Sequence, residues 1–170
     1  MSPDMGMIEL VEGCKPLRLV SALEDTITIA QQFNLVASAA GSYIASYVMG
    51  VRDRHFDNVL IRDNDCTLFH IDFGFLFGDT ASVDTSKFAI TSDLKNLMGG
   101  FWDKFVELGV QSFLALRQKH SFLVKYARQC FCYLNNPDMV EQFMKDQLLI
   151  DHMEDDKAAK HIARIIKESP

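Results

Sequence analysis

Between Val51 and Asp57 the chain packs Arg52, Asp53, Arg54, His55 and Asp57 into seven residues, directly after a long apolar run and directly before two short β-branched segments. Such a stretch is too polar for a core element and too dense in charge for a casual loop. What flanks it sets the architecture. Upstream, the apolar run Leu35–Val51 carries Ser38, Ser42 and Ser46 at every fourth position, the spacing of one helical face. It falls short of the roughly 20 apolar residues that span a bilayer, so it predicts a helix buried in protein. Downstream, Val59, Leu60 and Ile61 read as a strand, Asp63, Asn64 and Asp65 as a turn, and Thr67–Ile71 as the returning strand. The charged stretch therefore joins a buried helix to a β-hairpin.

The remaining chain fills in around this junction. Met7–Val11 is an apolar strand candidate, punctuated by Gly13–Pro16. Ser21 with Glu24 three residues later forms a capping-box pattern opening a helix through about Phe33, which leads into the serine-striped helix ending near Gly50. Gly74–Ser92 loses periodicity and predicts a long surface loop. Beyond Asp93 the pattern is helical. Phe101, Trp102, Phe105, Phe113 and Leu116 share one face, and Phe122, Tyr126, Cys130, Phe131 and Leu134 another. Asn135, Asn136 and Pro137 end that second helix; Met139, Val140, Phe143 and Met144 start the next, and Asp151 with Glu154 offers a capping box before Ile162, Ile165 and Ile166. The expected fold is a single α+β domain over residues 1–170, mainly α with a small β-hairpin.

Composition narrows the partners. With 17 Lys and Arg against 23 Asp and Glu, a net charge of −6 argues against a general nucleic-acid binder, which needs a phosphate-neutralising basic face. Recognition of phosphate must then be local. Cys14, Cys66, Cys130 and Cys132 lack paired zinc-site spacing, and the N-terminus shows no secretory pattern, so reduced thiols and a cytoplasmic location are expected.

Folding back about the turn at Asn64 and Asp65 is expected to bring Asn58 across from Asp72, both at the open end of the hairpin. An amide oxygen and a carboxylate converging there, with Asp53 and His55 just upstream, suit Mg²⁺ and leave room for phosphate oxygens. His55 adds a group able to take a proton near neutral pH. These are the ingredients of phosphoryl transfer. Asp72-Phe73-Gly74 also matches the metal-binding tripeptide of kinases, at a strand end before a long loop. Each part alone has an ordinary explanation, a chance tripeptide or a solvated charged turn; their combination carries the reading.

Gly50-Val51-Arg52-Asp53-Arg54-His55-Phe56-Asp57-Asn58-Val59-Leu60, followed by Leu68-Phe69-His70-Ile71-Asp72-Phe73-Gly74, resembles the catalytic and metal-binding loops of the phosphatidylinositol 3- and 4-kinase superfamily. Ala40–Tyr43, Gly6–Val11, Met98–Gly100 and Leu116-Arg117 resemble its flanking segments, so the likeness runs from about Gly6 to Ile166. It implies the C-terminal lobe of a protein-kinase-like fold, closest to phosphatidylinositol 3-kinases. It implies ATP and Mg²⁺, with Mn²⁺ as a substitute, as cofactors. By this resemblance His55 is the general base toward the lipid hydroxyl, supported by Asp53, and Asn58 and Asp72 hold the metal. Leu60 and Ile71 match positions forming the floor under adenine, although strand packing explains both equally well; His70 reads as structural.

The resemblance makes Asp72 to about Asp93 an activation loop that selects the lipid head group. Between Phe75 and Lys95 three acids outnumber two bases, a poor match for a multiply phosphorylated ring. Unphosphorylated phosphatidylinositol, as in the class III branch, is the expected substrate, with Lys87 either a head-group contact or a solvated loop lysine. Arg52 stands where the family usually has glycine. Nothing upstream of Gly6 matches the N-terminal lobe, with its phosphate-covering loop and lysine, so the expected partners are that lobe or a longer parent chain, membrane phosphatidylinositol and a regulatory subunit. The chain alone is expected to turn over lipid poorly, at the periphery of membranes. The competing readings are a protein serine/threonine kinase of the same superfamily, a non-catalytic binding module and, more distantly, a metal-dependent hydrolase.

Overall fold

The computed structural model describes residues 9–23, 26–79, 88–132 and 136–169. Its central element is helix α1, Ile29–Met49, which packs against the small sheet on one side and against α3, Trp102–Gln118, on another. Burial of Leu35, Val36, Ala39, Ala40, Tyr43, Ile44, Tyr47 and Val48 on this single helix follows from its being covered on more than one side. The helix starts later than the Ser21–Glu24 pattern predicts. Leu17–Leu23 forms a 3₁₀ helix instead, and the capping box is made by Thr28 and Gln31: the Gln31 amide donates to the Thr28 hydroxyl at 3.3 Å, and the Thr28 amide to Gln31 Oε1 at 3.0 Å.

The sheet has three antiparallel strands rather than a lone hairpin, in the order β1 (Cys14–Pro16), β2 (Val59–Arg62), β3 (Leu68–His70). The Gly13–Pro16 stretch, which reads as punctuation, supplies the extra edge strand; Pro16 is tolerated because it ends that edge, opposite Leu60. Of the expected first strand, Met7 and Ile8 lie outside the described residues, and Glu9–Val11 are not in a strand. Side chains on β2 and β3 alternate as a half-buried sheet requires, with Val59, Ile61, Leu68 and His70 buried.

The turn is centred on Asn64 and Asp65 as expected, but equal steps from that centre bring Asn58 opposite Ile71, one residue short of the expected Asp72. The hairpin closes where the Arg62 amide donates to Thr67 O at 3.0 Å, leaving Asp63–Cys66 as the loop with Cys66 in the left-handed region. Val59 then pairs with His70, and the Ile71 amide donates to Asn58 O at 3.0 Å. Asn58 faces Ile71; Asp72 lies one step beyond the ladder.

Ser38, Ser42 and Ser46 fasten α1 to β3. The Leu68 amide donates to Ser38 Oγ at 2.9 Å, and the hydroxyls of Ser42 and Ser46 lie 3.0 and 2.8 Å from His70 Nδ1. The stripe of hydroxyls is thus a seam along the strand, which satisfies polar groups inside an apolar contact.

The C-terminal half holds α2 (Ser92–Met98), α3, α4 (His120–Phe131), α5 (Pro137–Gln147) and α6 (Asp155–Lys167). Phe105 and Phe113 of the expected α3 face are buried, with Trp102 and Leu116 partly so. On α4 only Phe131 of the expected face packs against the core; Phe122 and Tyr126 are 59% and 51% exposed, Cys130 is exposed, and the smaller Val124 and Ala127 are buried. Packing of α4 on α5 selects the side with the closer approach, not the side with the larger rings. Leu134 is outside the described residues. Asn136 caps the following helix, accepting from the Asp138 amide at 2.9 Å with Pro137 in the first turn. No capping box forms at Asp151 and Glu154, since Glu154, the residue before α6, makes no side-chain cap.

Gly50 ends α1 at φ 62°, with the Val51 amide donating back to Ser46 O at 2.9 Å. A Cβ there would lie 2.3 Å from the Phe143 ring of α5. Gly50→Ala is expected to cost about 3 kcal/mol, from left-handed strain plus displacement of that ring, read as a lowered urea midpoint with an unchanged slope.

Candidate active site

The left-handed turn at Gly50 throws the chain out of α1 into the loop 51–58, which is pinned from both sides. The Leu17 amide donates to Phe56 O at 3.0 Å, and Arg18 pairs with Asp57 at 2.6 Å. From the segment after β3, Phe75 O accepts from the Arg52 amide at 3.1 Å, and the Phe77 amide donates to Met49 O at 2.9 Å. The loop is therefore held as part of the scaffold despite its charge.

Arg54 occupies the centre. It is only 5% exposed, although it lies between Asp53 and His55 in a strongly polar sequence. Its Nε donates to Arg52 O at 2.9 Å; its terminal nitrogens donate to Ile71 O at 2.7 Å, to Asn58 O at 3.5 Å and to Asp72 O. The guanidinium also lies 5.7 Å from the centre of the Phe73 ring. Burial pushes its pKa down, while the nearby Asp53 and Asp72 carboxylates hold it up. One side chain thus ties the loop carrying Asp53, His55 and Asn58 to the segment carrying Asp72.

Both aspartates stand in the left-handed backbone region, Asp53 at φ 59° and Asp72 at φ 58°. That conformation costs a non-glycine residue on the order of 1 kcal/mol and recurs at functional sites. Asn58 is buried, and its Nδ2 donates to Asp53 O at 2.8 Å, which commits the amide nitrogen and leaves Oδ1 as the acceptor. Asp72 is exposed. His55 is exposed and its Nδ1 accepts from the Asp57 amide at 3.2 Å. Leu60 is half-buried on β2 and Ile71 is 36% exposed just past β3. Lys87 lies outside the described residues.

This donor set fits a hard divalent cation bound together with phosphate. Among the described residues no three His, Cys, Asp or Glu side chains gather into a self-sufficient metal site. One carboxylate and one amide oxygen would leave several positions for phosphate oxygens and water, which is how Mg²⁺ is usually held beside nucleotides.

Arg54 is invisible to sequence reasoning, because a charged loop ordinarily predicts a solvated arginine. His70, which reads as structural, is 7% exposed, its ring meets Tyr43 edge-on at 4.9 Å, and its Nε2 is buried without a hydrogen-bond partner among the described residues. Burial, and secondarily the Arg54 charge, push its pKa from 6.5 down to about 4. The unfolded chain therefore binds the extra proton first: this contribution to stability is complete above about pH 6.5 and is lost as pH falls toward 4, by up to about 3 kcal/mol. Thermal unfolding followed from pH 7.5 to 4.5 should show that loss in the native chain and a flatter profile in His70→Asn. Equal slopes for the two proteins would contradict it.

Comparison with known proteins identifies a family. The family model described as phosphatidylinositol 3- and 4-kinase matches residues 20–138. The chain is 32% identical over 144 residues to a phosphatidylinositol 3-kinase catalytic subunit type 3 of Caenorhabditis elegans, covering 80% of this chain and 16% of that protein. It is 31% identical over 146 residues to a phosphatidylinositol 3-kinase of Schizosaccharomyces pombe, covering 80% and 18%. A phosphatidylinositol 4-kinase of Saccharomyces cerevisiae is 36% identical over 94 residues, covering 51% and 9%. The chain spans less than a fifth of the length of these relatives. The matched span takes in α1, the pinned loop, the sheet from β2 onward and the segment bearing Asp72, and by that match the chain belongs to the phosphatidylinositol 3- and 4-kinase family.

Proposed function

We propose that this chain is the catalytic lobe of a phosphatidylinositol 3-kinase, transferring the γ-phosphate of ATP to a ring hydroxyl of membrane phosphatidylinositol. The observation that carries the reading is the Arg54 bridge, which joins Asn58 and Asp72 through their backbone carbonyls. A divalent cation held by Asn58 Oδ1 and the Asp72 carboxylate would supply charge neutralisation on the phosphates. Leu60 and Ile71 would sit beneath the adenine, and Lys87 would meet the head group.

His55 acts as the base. Its 3.2 Å contact with the Asp57 amide favours the tautomer with the proton on Nε2. To accept at Nε2 the neutral ring must carry its own proton on Nδ1 and release the Asp57 amide, a loss of about 1 kcal/mol for so long a contact. The lipid hydroxyl then gives its proton to Nε2 as its oxygen bonds to the γ-phosphorus and the bond to the β-phosphate oxygen breaks. Asp53 supports the imidazolium from a backbone fixed by Asn58. A nucleotide-covering lobe, from a longer parent chain or a separate one, would complete the phosphate cradle, and a regulatory subunit would place the assembly at the membrane periphery of the cytoplasm.

The test offers labelled ATP with phosphatidylinositol vesicles and, separately, a peptide library, using the chain with and without a family N-terminal lobe. Label is expected in a monophosphorylated inositol lipid, weakly for the chain alone, abolished by chelation and restored by Mg²⁺ or Mn²⁺. Label in peptide would favour the protein-kinase alternative, and none in either, with the added lobe bound, would overturn catalysis.

A further inference from the structure

The packing of α4 leaves a face that the site above does not use. From Lys119 to Cys132 the sequence holds Lys119, Lys125 and Arg128 and no acidic residue, in a chain of net charge −6. Phe122 and Tyr126 stand out from this helix, their rings in tilted contact with centres 4.4 Å apart. Lys119 and Lys125 are exposed beside them, with no ion-pair partner among the described residues, whereas Arg128 is neutralised by Asp138 and Glu141.

Behind Tyr126 runs a groove of about 250 Å³ floored by Met49, Phe77, Leu123, Phe131 and Met144. Its volume lies below the roughly 300–1,000 Å³ of small-molecule sites. Its lining presents almost no hydrogen-bonding groups, whereas protein interfaces carry about one hydrogen bond per 100–200 Å². A surface with apolar depth, aromatic rings at its rim and unpaired lysines around it matches the layered chemistry of an anionic bilayer: acyl chains, then carbonyl and headgroup, then negative charge. Phe77, which packs on Phe131 with ring centres 5.0 Å apart, also places this groove against the segment leaving Asp72.

We infer that the α4 face, built on Phe122, Tyr126, Lys119 and Lys125, is a docking surface for anionic lipid membrane. The inference rests on the lipid-kinase reading only for its biological purpose, so its test uses vesicles free of inositol lipid. The intact chain is mixed with phosphatidylcholine vesicles, with or without phosphatidylserine, and binding is measured by sedimentation. Binding is expected only with phosphatidylserine, weakening as salt rises. Phe122→Ala with Tyr126→Ala should reduce partitioning about tenfold, and Lys125→Ala about fivefold. Because these side chains are exposed, circular dichroism and thermal unfolding of the variants should match the parent. In Phe122→Trp, the added fluorescence should be quenched by brominated lipid. Failure to bind phosphatidylserine vesicles, binding unchanged in the double variant, or self-association of the chain that the double variant abolishes would each overturn the assignment. None of these outcomes bears on whether the chain transfers phosphate.

Discussion

Arg54→Met is expected to destabilise the chain by about 4 kcal/mol and to lower its melting temperature by about 12 °C. The size of the effect comes from what is left behind. The guanidinium serves the carbonyls of Arg52, Asn58, Ile71 and Asp72 from a buried position, and methionine fills similar space while offering them no donor. Those of Asn58 and Arg52 keep or regain partners most easily, the former through the Ile71 amide, so the cost falls chiefly on the junction of Ile71 and Asp72. Arg54→Lys keeps the charge but replaces a planar fork with a single ammonium, and about half the loss should remain. Calorimetry of the two variants checks this; a melting temperature within a degree or two of the parent for Arg54→Met would show that the bridge contributes little.

Asp72→Asn should do the reverse, leaving the fold intact and removing activity. Its side chain is exposed and its carbonyl, the atom that Arg54 holds, survives the substitution. What disappears is the anionic ligand. Loss of the several kcal/mol of charge stabilisation that a bound metal supplies corresponds to about a thousandfold in turnover. The measurement is lipid phosphorylation by the chain assembled with a family N-terminal lobe, alongside calorimetric titration of Mg²⁺-ATP. Together the two substitutions separate scaffold from chemistry: Arg54 lowers stability and activity in step, whereas Asp72 lowers activity alone.

Much of this arrangement is legible in the sequence, and the failures share a cause. Asp53, Asn58 and Asp72 can be picked out because their spacing around a hairpin is a local property. The expected Asn58–Asp72 opposition misses by one residue although the turn is centred on Asn64 and Asp65 as expected, because equal steps from that centre end at Ile71. The edge strand at Cys14–Pro16 is hidden by residues that ordinarily break strands, and it exists because β2 offers an unpaired edge. Arg54 is missed because its burial depends on four carbonyls arriving from two segments. The face of α4 is misassigned because ring size suggests core, whereas close helix approach to α5 favours Val124 and Ala127. Pattern reports neighbours along the chain; these positions answer to neighbours across it.

The hydroxyl seam between α1 and β3 has one more consequence. Ser38 meets the amide of Leu68, and Ser42 and Ser46 meet His70, two residues before Asp72. A helix advances about 1.5 Å per residue and a strand about 3.3 Å, so four helical steps and two strand steps nearly coincide. The seam works as a vernier, with helix length setting where the Asp72 carboxylate stops. Point changes along α1 leave that scale readable, but inserting or deleting one residue between Ser38 and Ser46 rotates the graduations by about 100°, so indels should be forbidden within the seam.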